Sequence, residues 1–155
     1  MKIREATNED ISEIKDMMKN LFLTWDKMDS MDKIDKTWFS SKESSQLIFE
    51  RMSSESKKYF VAENAGKIIG YIFGLIEIRA ACLDKKIGLI DELYMKPEYR
   101  KTSAGKALTN KMLGWFKSKK LRWTITLTHS QDEGANSYWK HFGYKDYNRK
   151  YGMRL

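Results

Sequence analysis

The most informative segment of the chain lies between residues 90 and 108 and reads Ile90-Asp91-Glu92-Leu93-Tyr94-Met95-Lys96-Pro97-Glu98-Tyr99-Arg100-Lys101-Thr102-Ser103-Ala104-Gly105-Lys106-Ala107-Leu108. The first residues of this segment belong to an extended run over 87–96. Pro97 ends that run because proline has no N–H to donate to a sheet. Apolar residues recur at helical spacing at 104, 107, 108, 112, 115 and 116 and predict an amphipathic helix over 104–120. A strand, a short turn and a helix are therefore expected in succession.

The turn between this strand and this helix has the features of an anion site. The first N–H groups of a helix have no acceptor within it, and the helix dipole is positive there. Small residues allow a ligand close to the backbone, and Arg100, Lys101 and Lys106 add positive charge. A pyrophosphate suits such a site. The spacing GxxxxGK[ST] of a P-loop is absent, and a single glycine excludes the dinucleotide fingerprint.

The rest of the chain predicts an α+β fold, with a mixed sheet and helices on both of its faces. A hairpin is expected around Asn64-Ala65-Gly66, and residues 24–41 are expected to form a loop or a broken helix. The other expected strands cover 2–6, 59–63, 67–79, 123–128 and 144–153, and the other helices cover 11–21, 47–52 and 135–142.

Length and composition predict one domain over residues 1–155. The single cysteine, Cys82, excludes an internal disulfide and favours a reducing compartment. No apolar run approaches the ~18 residues of a membrane span, and no apolar segment of a signal peptide follows the first residues. We therefore expect a cytoplasmic protein without a membrane partner.

The net charge of +8 is concentrated in one part of the chain. Residues 96–122 carry nine basic side chains and one acidic side chain. Such a stretch favours the phosphates of a small cofactor, a nucleic acid or a membrane surface as partner, or it is a solvated helix face. A nucleic-acid-binding module stays open as an alternative, although no zinc-finger, RRM or KH signature is present.

Two motifs together make the chain resemble the GNAT N-acetyltransferases. The family hallmark, Arg/Gln-x-x-Gly-x-Gly/Ala after a strand that ends Leu-Tyr-Val-x-Pro-x-Tyr, is similar to residues 93–105. The family helix Ala-x-x-Phe-Tyr-x-x-x-Gly-Phe is similar to residues 135–144. The expected order β-α-α-β-β-β-α-β-α-β also resembles that of the family.

The resemblance implies an acetyl-CoA-dependent transfer of an acetyl group to a primary amine by direct attack on the thioester. It implies that the backbone of Leu93 and Met95 holds the pantetheine arm. The pyrophosphate would lie on the turn and the helix start, and no metal is implied. The implied cofactor-binding residues of that turn are Arg100, Lys101, Thr102, Ser103, Ala104, Gly105 and Lys106. A homodimer is a further expectation, because dimers are common in the family.

The chain departs from the family pattern at three positions. Ser103 replaces the first glycine of the hallmark, which preserves the loop if the backbone there needs no positive φ. Asp132 stands where an asparagine often contacts the cofactor, and Trp139 stands where many members have an acid tyrosine. Tryptophan is not an acid near neutral pH. A family member that binds acyl-CoA without transferring the acyl group is therefore a second alternative.

Asp91 and Glu92 are the candidate bases, since the resemblance places an acidic residue at one of these positions. Side chains alternate along a strand, so the two carboxylates are expected on opposite faces, and Glu92 is our first choice. The alternative is that both residues are ordinary strand-edge carboxylates paired with lysines. Tyr138 is the tyrosine nearest to the missing acid, with packing as its other role, and His129 is a further candidate base.

The acceptor pocket is expected near the N-terminal helices, as in the family. Four aspartates lie at three-residue intervals with aromatic residues beside them, an arrangement that suits a cationic amine or an ordinary polar loop. A polyamine, an amino acid, an antibiotic and a protein N-terminus all fit this description. The residues concerned are Trp25, Asp26, Asp29, Asp32, Asp35 and Trp38.

Overall fold

The structure is a computed structural model that describes residues 1–28, 31 and 33–155. Short 3-10 turns precede α1, α2 and α3. The helices and strands are β1 (Lys2–Glu5), α1 (Ile11–Met28), α2 (Lys42–Met52), β2 (Lys57–Asn64), β3 (Lys67–Ile78), β4 (Lys86–Met95), α3 (Ser103–Ser118), β5 (Thr124–Thr126) and α4 (Glu133–His141).

The described strands form one sheet in the order β1-β2-β3-β4-β5. The first four strands are antiparallel neighbours, whereas β5 runs parallel to β4. Ala65 and Gly66, with φ of 48° and 74°, close the hairpin between β2 and β3, as a two-residue turn with both φ values positive does. The mixed sheet and the hairpin predicted from the sequence are confirmed.

Helices cover both faces of the sheet, as predicted. Helices α1 and α2 pack on one face, around Tyr59, Tyr71 and Phe73. Helices α3 and α4 pack on the other, where Ile90 and Phe116 belong to the same buried cluster. We call these two surfaces the α1–α2 face and the α3–α4 face.

Glycine allows α3 to lie close to the sheet. A Cβ at Gly88 would lie 2.7 Å from two atoms of the Phe116 ring, and one at Gly74 would lie 2.7 Å from the Met112 sulfur. Real Cβ atoms do not come this close to their neighbours. The lack of a side chain at Gly74 and Gly88 therefore lets α3 lie against β3 and β4.

The structure departs most from the prediction at the end of α1 and in the C-terminal segment. Helix α1 continues to Met28, so Trp25 lies on a helix, because the apolar spacing of the first turns continues through Phe22. The strand expected over 144–153 is not formed. Tyr147 and Tyr151 are 67% and 89% exposed, and neither face of this charged segment has the apolar row that would hold it on a sheet.

None of the helices in the described part of the chain has the length and apolar character needed to span a bilayer.

Candidate functional site

A β-bulge interrupts β4 at Asp91. Phe73 on β3 pairs with Glu92, and the next residue of β3, Gly74, pairs with Ile90. Asp91 is therefore the extra residue of β4, without a partner on β3. An inserted residue bends a strand and changes which side chains follow one another on each face.

The bulge places both acidic side chains of β4 on the same face. Ile90 packs in the α3–α4 cluster, whereas Glu92 bonds to Arg51 on α2. Asp91 is inserted beside Glu92 opposite Phe73, and the influence of Arg51 on the pKa of Asp91 agrees with that position. The prediction that Asp91 and Glu92 lie on opposite faces is wrong, because strict alternation does not hold across a bulge.

Glu92 is held in a buried hydrogen-bonded network. The residue is 2% exposed, and its two oxygens accept from Arg51 Nη1 and from Tyr71 Oη, both at 2.8 Å. Arg51 Nη1 also donates to Tyr59 Oη at 3.0 Å, and its guanidinium lies 4.4 Å from the ring centroid of Phe73. Burial raises the pKa of Glu92, while Arg51 and Tyr71 oppose this rise. Both oxygens of the Glu92 carboxylate are thus used in hydrogen bonds within the core.

Asp91 has a different environment from its neighbour. It is half-buried, and its carboxylate forms no side-chain hydrogen bond or direct ion pair with any residue that the structure describes. Burial raises the pKa of Asp91, and the charges of Arg51 and Lys150 act in the opposite direction. An unbonded carboxylate with a raised pKa is suited to accept a proton.

The sheet opens beside Asp91. Strand β5 pairs with β4 only at Gly88, Leu89 and Ile90, and the pairing ends at Ile90 and Thr126. From residue 91 onward, the side of β4 that faces away from β3 has no strand beside it in the described sheet. We call this side the open edge of β4.

Two residues direct their backbone groups towards the open edge. The Lys96 N–H donates to Ile69 O on β3 at 2.9 Å. Because these groups alternate in direction along an antiparallel strand, the N–H groups of Leu93 and Met95 point the other way. The Met95 carbonyl accepts from Arg100 Nε at 3.1 Å on that side. Leu93 and Met95, the residues implied for the pantetheine arm, therefore present their backbone at the opening.

The turn after β4 leads directly into the N-terminus of α3. Lys101 has a φ of 63°, and Thr102 caps the helix by accepting from the Ala104 N–H at 3.3 Å. Ser103 is the first residue of α3 and does not have a positive φ. Serine is therefore compatible with the backbone at the position of the family's first glycine. Side chains of Lys101, Ser103 and Lys106 are exposed around the helix end.

Gly105 lies where α3 meets β4 and α4. A Cβ at this position would lie 3.7 Å from Met95 Cγ and 3.7 Å from Tyr138 Oη. The Tyr138 hydroxyl bonds to Thr109 Oγ1 at 2.8 Å. Tyr138 thus packs on the α3–α4 face, whereas Asp91 and Glu92 lie on the α1–α2 face.

Asp132 and Trp139, two of the departures from the family pattern, have structural roles. Asp132 caps α4 by accepting from the Ala135 N–H at 2.9 Å. Trp139 is 6% exposed and meets Tyr144 edge to face, with ring centroids 5.3 Å apart. Asp132 therefore stabilises the N-terminus of α4, and Trp139 packs the helix against Tyr144.

Aromatic rings gather at the C-terminal half of α1. Phe22 stacks on Trp25 at 4.7 Å between centroids, and the His129 ring lies 6.1 Å from that of Trp25. His129 follows β5, so these rings lie on the side where the sheet opens. Trp38 instead packs edge to face on Phe39 at 5.0 Å.

Two of the four aspartates between residues 25 and 38 accept hydrogen bonds from nearby backbone. Asp26 accepts from the Ile34 N–H at 3.0 Å, and Asp35 accepts from the Thr37 N–H at 2.9 Å. Aspartates in loops commonly bond to a backbone N–H nearby, and these two order the connection to α2. For Asp26 and Asp35 these contacts are those of the ordinary polar loop, the second of the two alternatives, whereas Asp29 and Asp32 lie outside the described residues.

Sequence reasoning missed Arg51. The residue follows buried Ile48 by three positions on α2, which places it on the inner side of the helix. A buried arginine requires an acidic partner, but the sequence does not identify which carboxylate that is.

Comparisons with known proteins agree with this fold. The sequence matches the model described as "Acetyltransferase (GNAT) family" over residues 25–144. No curated protein matches the chain.

Solved structures share the architecture at low sequence identity. A transcriptional regulator from Bacillus halodurans C-125 is 16% identical, with a TM-score of 0.79 and 99% of each chain covered. The aminoglycoside N-acetyltransferase AAC(6')-Iy in complex with CoA is 15% identical, with a TM-score of 0.76 over 99% of this chain and 98% of that one. AAC(6')-Iy with the bisubstrate analog CoA-S-monomethyl-acetylneamine is also 15% identical, with a TM-score of 0.78 over 99% and 97%.

Proposed function

The chain belongs to the GNAT acetyltransferase family, and we propose that it transfers an acetyl group from acetyl-CoA to a primary amine that attacks the thioester directly. One observation carries this proposal: the open edge of β4 lies between the N-terminus of α3 and the unbonded carboxylate of Asp91. Hydrogen-bond donors, an anion site and a proton acceptor thus adjoin a single opening.

The donor site is built mainly from backbone. Acetyl-CoA supplies the acetyl group and a thiol leaving group. The N–H groups of Leu93 and Met95 bind the pantetheine arm as a further strand would be bound. Those N–H groups of residues 101–106 that have no acceptor within the helix bind the pyrophosphate, and Lys101 and Lys106 add charge around it. Arg100 supports the same edge through its bond to the Met95 carbonyl.

Asp91 is the proton acceptor in this proposal. An alkyl ammonium has a pKa near ~10.4 and must lose a proton before its nitrogen attacks. Asp91 is available for that proton, and its raised pKa increases its affinity for it. Both oxygens of Glu92, our first choice from the sequence, already accept a hydrogen bond. We therefore assign Glu92 a structural role beside the site, through its pair with Arg51.

The open edge also stabilises charge in the transition state. Fixed N–H donors on β4 stabilise the negative charge that develops on the thioester oxygen. We assign Tyr138 to packing, because its hydroxyl bonds to Thr109 on the face opposite to Asp91. The thiolate of CoA is a stable leaving group and departs without a side-chain acid.

The acceptor side favours a cationic amine. Trp25 and Phe22 present aromatic rings near the opening, and aromatic faces attract ammonium groups. Asp91 supplies the anionic group in this proposal. We infer that the amine binds on the α1–α2 face and the donor along the open edge.

A thiol-release assay with a panel of polyamines, amino acids, aminoglycosides and peptides tests the proposal. Products are identified by mass spectrometry. The wild-type protein is compared with Asp91→Asn and with Asp16→Asn, which removes an exposed carboxylate of α1. We expect transfer by the wild-type and Asp16→Asn proteins and its loss in Asp91→Asn. Acetyl-CoA binding without thiol release for any amine would overturn the proposal in favour of a binding protein.

A further inference from the structure

Either of two adjacent carboxylates of β4 could occupy the place opposite Phe73 on β3. In the structure Phe73 pairs with Glu92, and Asp91 is the inserted residue. A bulge shifted by one residue would pair Phe73 with Asp91 and insert Glu92 instead. Because an inserted residue bends the strand and redirects the side chains around it, the position of the bulge decides which carboxylate adjoins the open edge.

Phe73 has a fixed place in the core. Its ring stacks on that of Tyr59, with centroids 4.4 Å apart, and the guanidinium of Arg51 lies 4.4 Å from its centroid. A side chain packed in this way does not move to suit its partner strand. The position of the bulge is therefore set by the contacts that the two acids of β4 make.

Tyr71 reaches Glu92 diagonally across the sheet. Tyr71 and Phe73 are two residues apart on β3, so their side chains lie on the same face. Tyr71 pairs with Tyr94, and Glu92 is then its diagonal neighbour, within reach of an aromatic side chain. The Tyr71 hydroxyl is fully buried and donates to Glu92 Oε2 at 2.8 Å. This bond joins β3 directly to the residue that follows the bulge.

The length of the glutamate side chain distinguishes the two registers. Glu92 accepts from Tyr71 through one oxygen and from Arg51 through the other. Aspartate is one methylene shorter, so we expect Asp91 in the same place to leave one of these buried donors unpaired. Unpaired buried donors are costly. The two bonds therefore favour the register in which Glu92 faces Phe73 and Asp91 is inserted.

We propose that Tyr71 is a positioning residue for the acetyl transfer: through Glu92 it fixes the bulge at residue 91 and holds the Asp91 carboxylate beside the open edge. The inference rests on the proposed function. Tyr71 itself takes no part in proton transfer, because its buried hydroxyl donates to Glu92. Its effect is on geometry, and a displacement of about 1 Å in a catalytic group can lower a rate by roughly 10²-fold.

Steady-state kinetics of Tyr71→Phe test the inference, with Tyr59→Phe as the matched control. Tyr59→Phe also removes a buried hydroxyl with one hydrogen bond, but that bond is to Arg51, and both bonds of Glu92 remain. We expect Tyr71→Phe to lower kcat about 10–10²-fold, whereas Tyr59→Phe should keep most of the wild-type kcat. Both proteins are assayed at a temperature at which circular dichroism shows them to be folded.

The KM for acetyl-CoA should not change in Tyr71→Phe. Leu93 pairs with Ile72 and Ile90 pairs with Gly74 whichever acid is inserted between them, so the backbone of the donor site keeps its place. A general loss of structure would instead raise KM and lower kcat together.

The register of β3 against β4 supplies a readout independent of activity. Cross-strand proton contacts in NMR spectra should join Phe73 to Glu92 in the wild-type and Tyr59→Phe proteins. In Tyr71→Phe, contacts from Phe73 to Asp91 should appear as well. An unchanged register in Tyr71→Phe, or an equal loss of kcat in the two variants, overturns the inference.

The same assays separate the inference from the proposed function. Transfer by the wild-type protein together with an unchanged kcat in Tyr71→Phe contradicts the positioning role alone. Absence of thiol release by the wild-type protein with every amine contradicts the proposed function, and the positioning role with it.

Discussion

Nη1 of Arg51 lies 2.8 Å from Oε1 of Glu92, and this contact joins α2 to the sheet beside the β4 bulge. The side chains are 18% and 1% exposed, so the pair is almost entirely removed from water. A charge pair in such a place holds its neighbours in position, because either charge alone would be costly to bury.

Arg51→Met should destabilise the protein strongly. The change leaves the Glu92 carboxylate buried without its cation, which typically costs about 3–5 kcal/mol. The free energy of unfolding in urea measures the effect. Lys58→Met, which removes the more exposed pair with Glu5, is the matched control and should cost no more than about 1 kcal/mol. Similar losses in the two variants would contradict the assigned role of the buried pair.

Asp91→Asn should remove the acid limb of the pH–rate profile. A base acts only when deprotonated, so kcat/KM should fall as the pH drops through the pKa of Asp91. Burial places that pKa above the usual value for aspartate. Loss of the base should lower kcat about 10²–10⁴-fold at neutral pH. An unchanged acid limb in the variant would assign proton transfer to another group.

The same substitution should stabilise the fold at neutral pH. The pKa of Asp91 is higher in the folded than in the unfolded chain, so its ionisation opposes folding. This penalty is present above the folded-state pKa and disappears as the pH falls towards ~3.9, the ordinary aspartate value. Urea unfolding of the Asp91→Asn and wild-type proteins at several pH values tests this. A gain in stability that does not diminish at low pH would contradict it.

Gly105→Ala should preserve both the fold and acetyl-CoA binding. The new Cβ would lie at ordinary contact distance, 3.7 Å, from Met95 and Tyr138. Alanine in a helix is more stable than glycine by up to about 1 kcal/mol. Thermal unfolding and calorimetric titration measure the two properties. Gly88→Ala is the contrasting variant and should destabilise, since its Cβ would clash with Phe116. Destabilisation by Gly105→Ala would mean that α3 lies closer to β4 than described.

The strand, turn and helix around the donor site could be predicted because their signals are local. Pro97 ends the extended run, Thr102 caps the helix, and apolar spacing defines α3. The hairpin at Ala65 and Gly66 was predictable for the same reason.

The acidic part of the site depends on contacts between distant residues. Arg51 and Glu92 are 41 residues apart in sequence, and nothing local indicates that they pair. The bulge at Asp91 arises from the register of β3 against β4. Alternation along β4 alone therefore predicted the wrong face for the Asp91 side chain. The partners of Asp26 and Asp35 likewise depend on the course of the loop.

Calorimetric titration of acetyl-CoA into the Ser103→Glu variant tests the central claim most directly. Ser103 is exposed at the N-terminus of α3, where an added carboxylate should stabilise the helix by about 0.3–1 kcal/mol. Asn110→Glu adds the same charge to an exposed position further along this helix and is the matched control. We expect Ser103→Glu to bind acetyl-CoA much more weakly, although it should be at least as stable as the wild-type protein, whereas Asn110→Glu should bind normally. Unchanged affinity in Ser103→Glu would contradict the donor site at the start of α3.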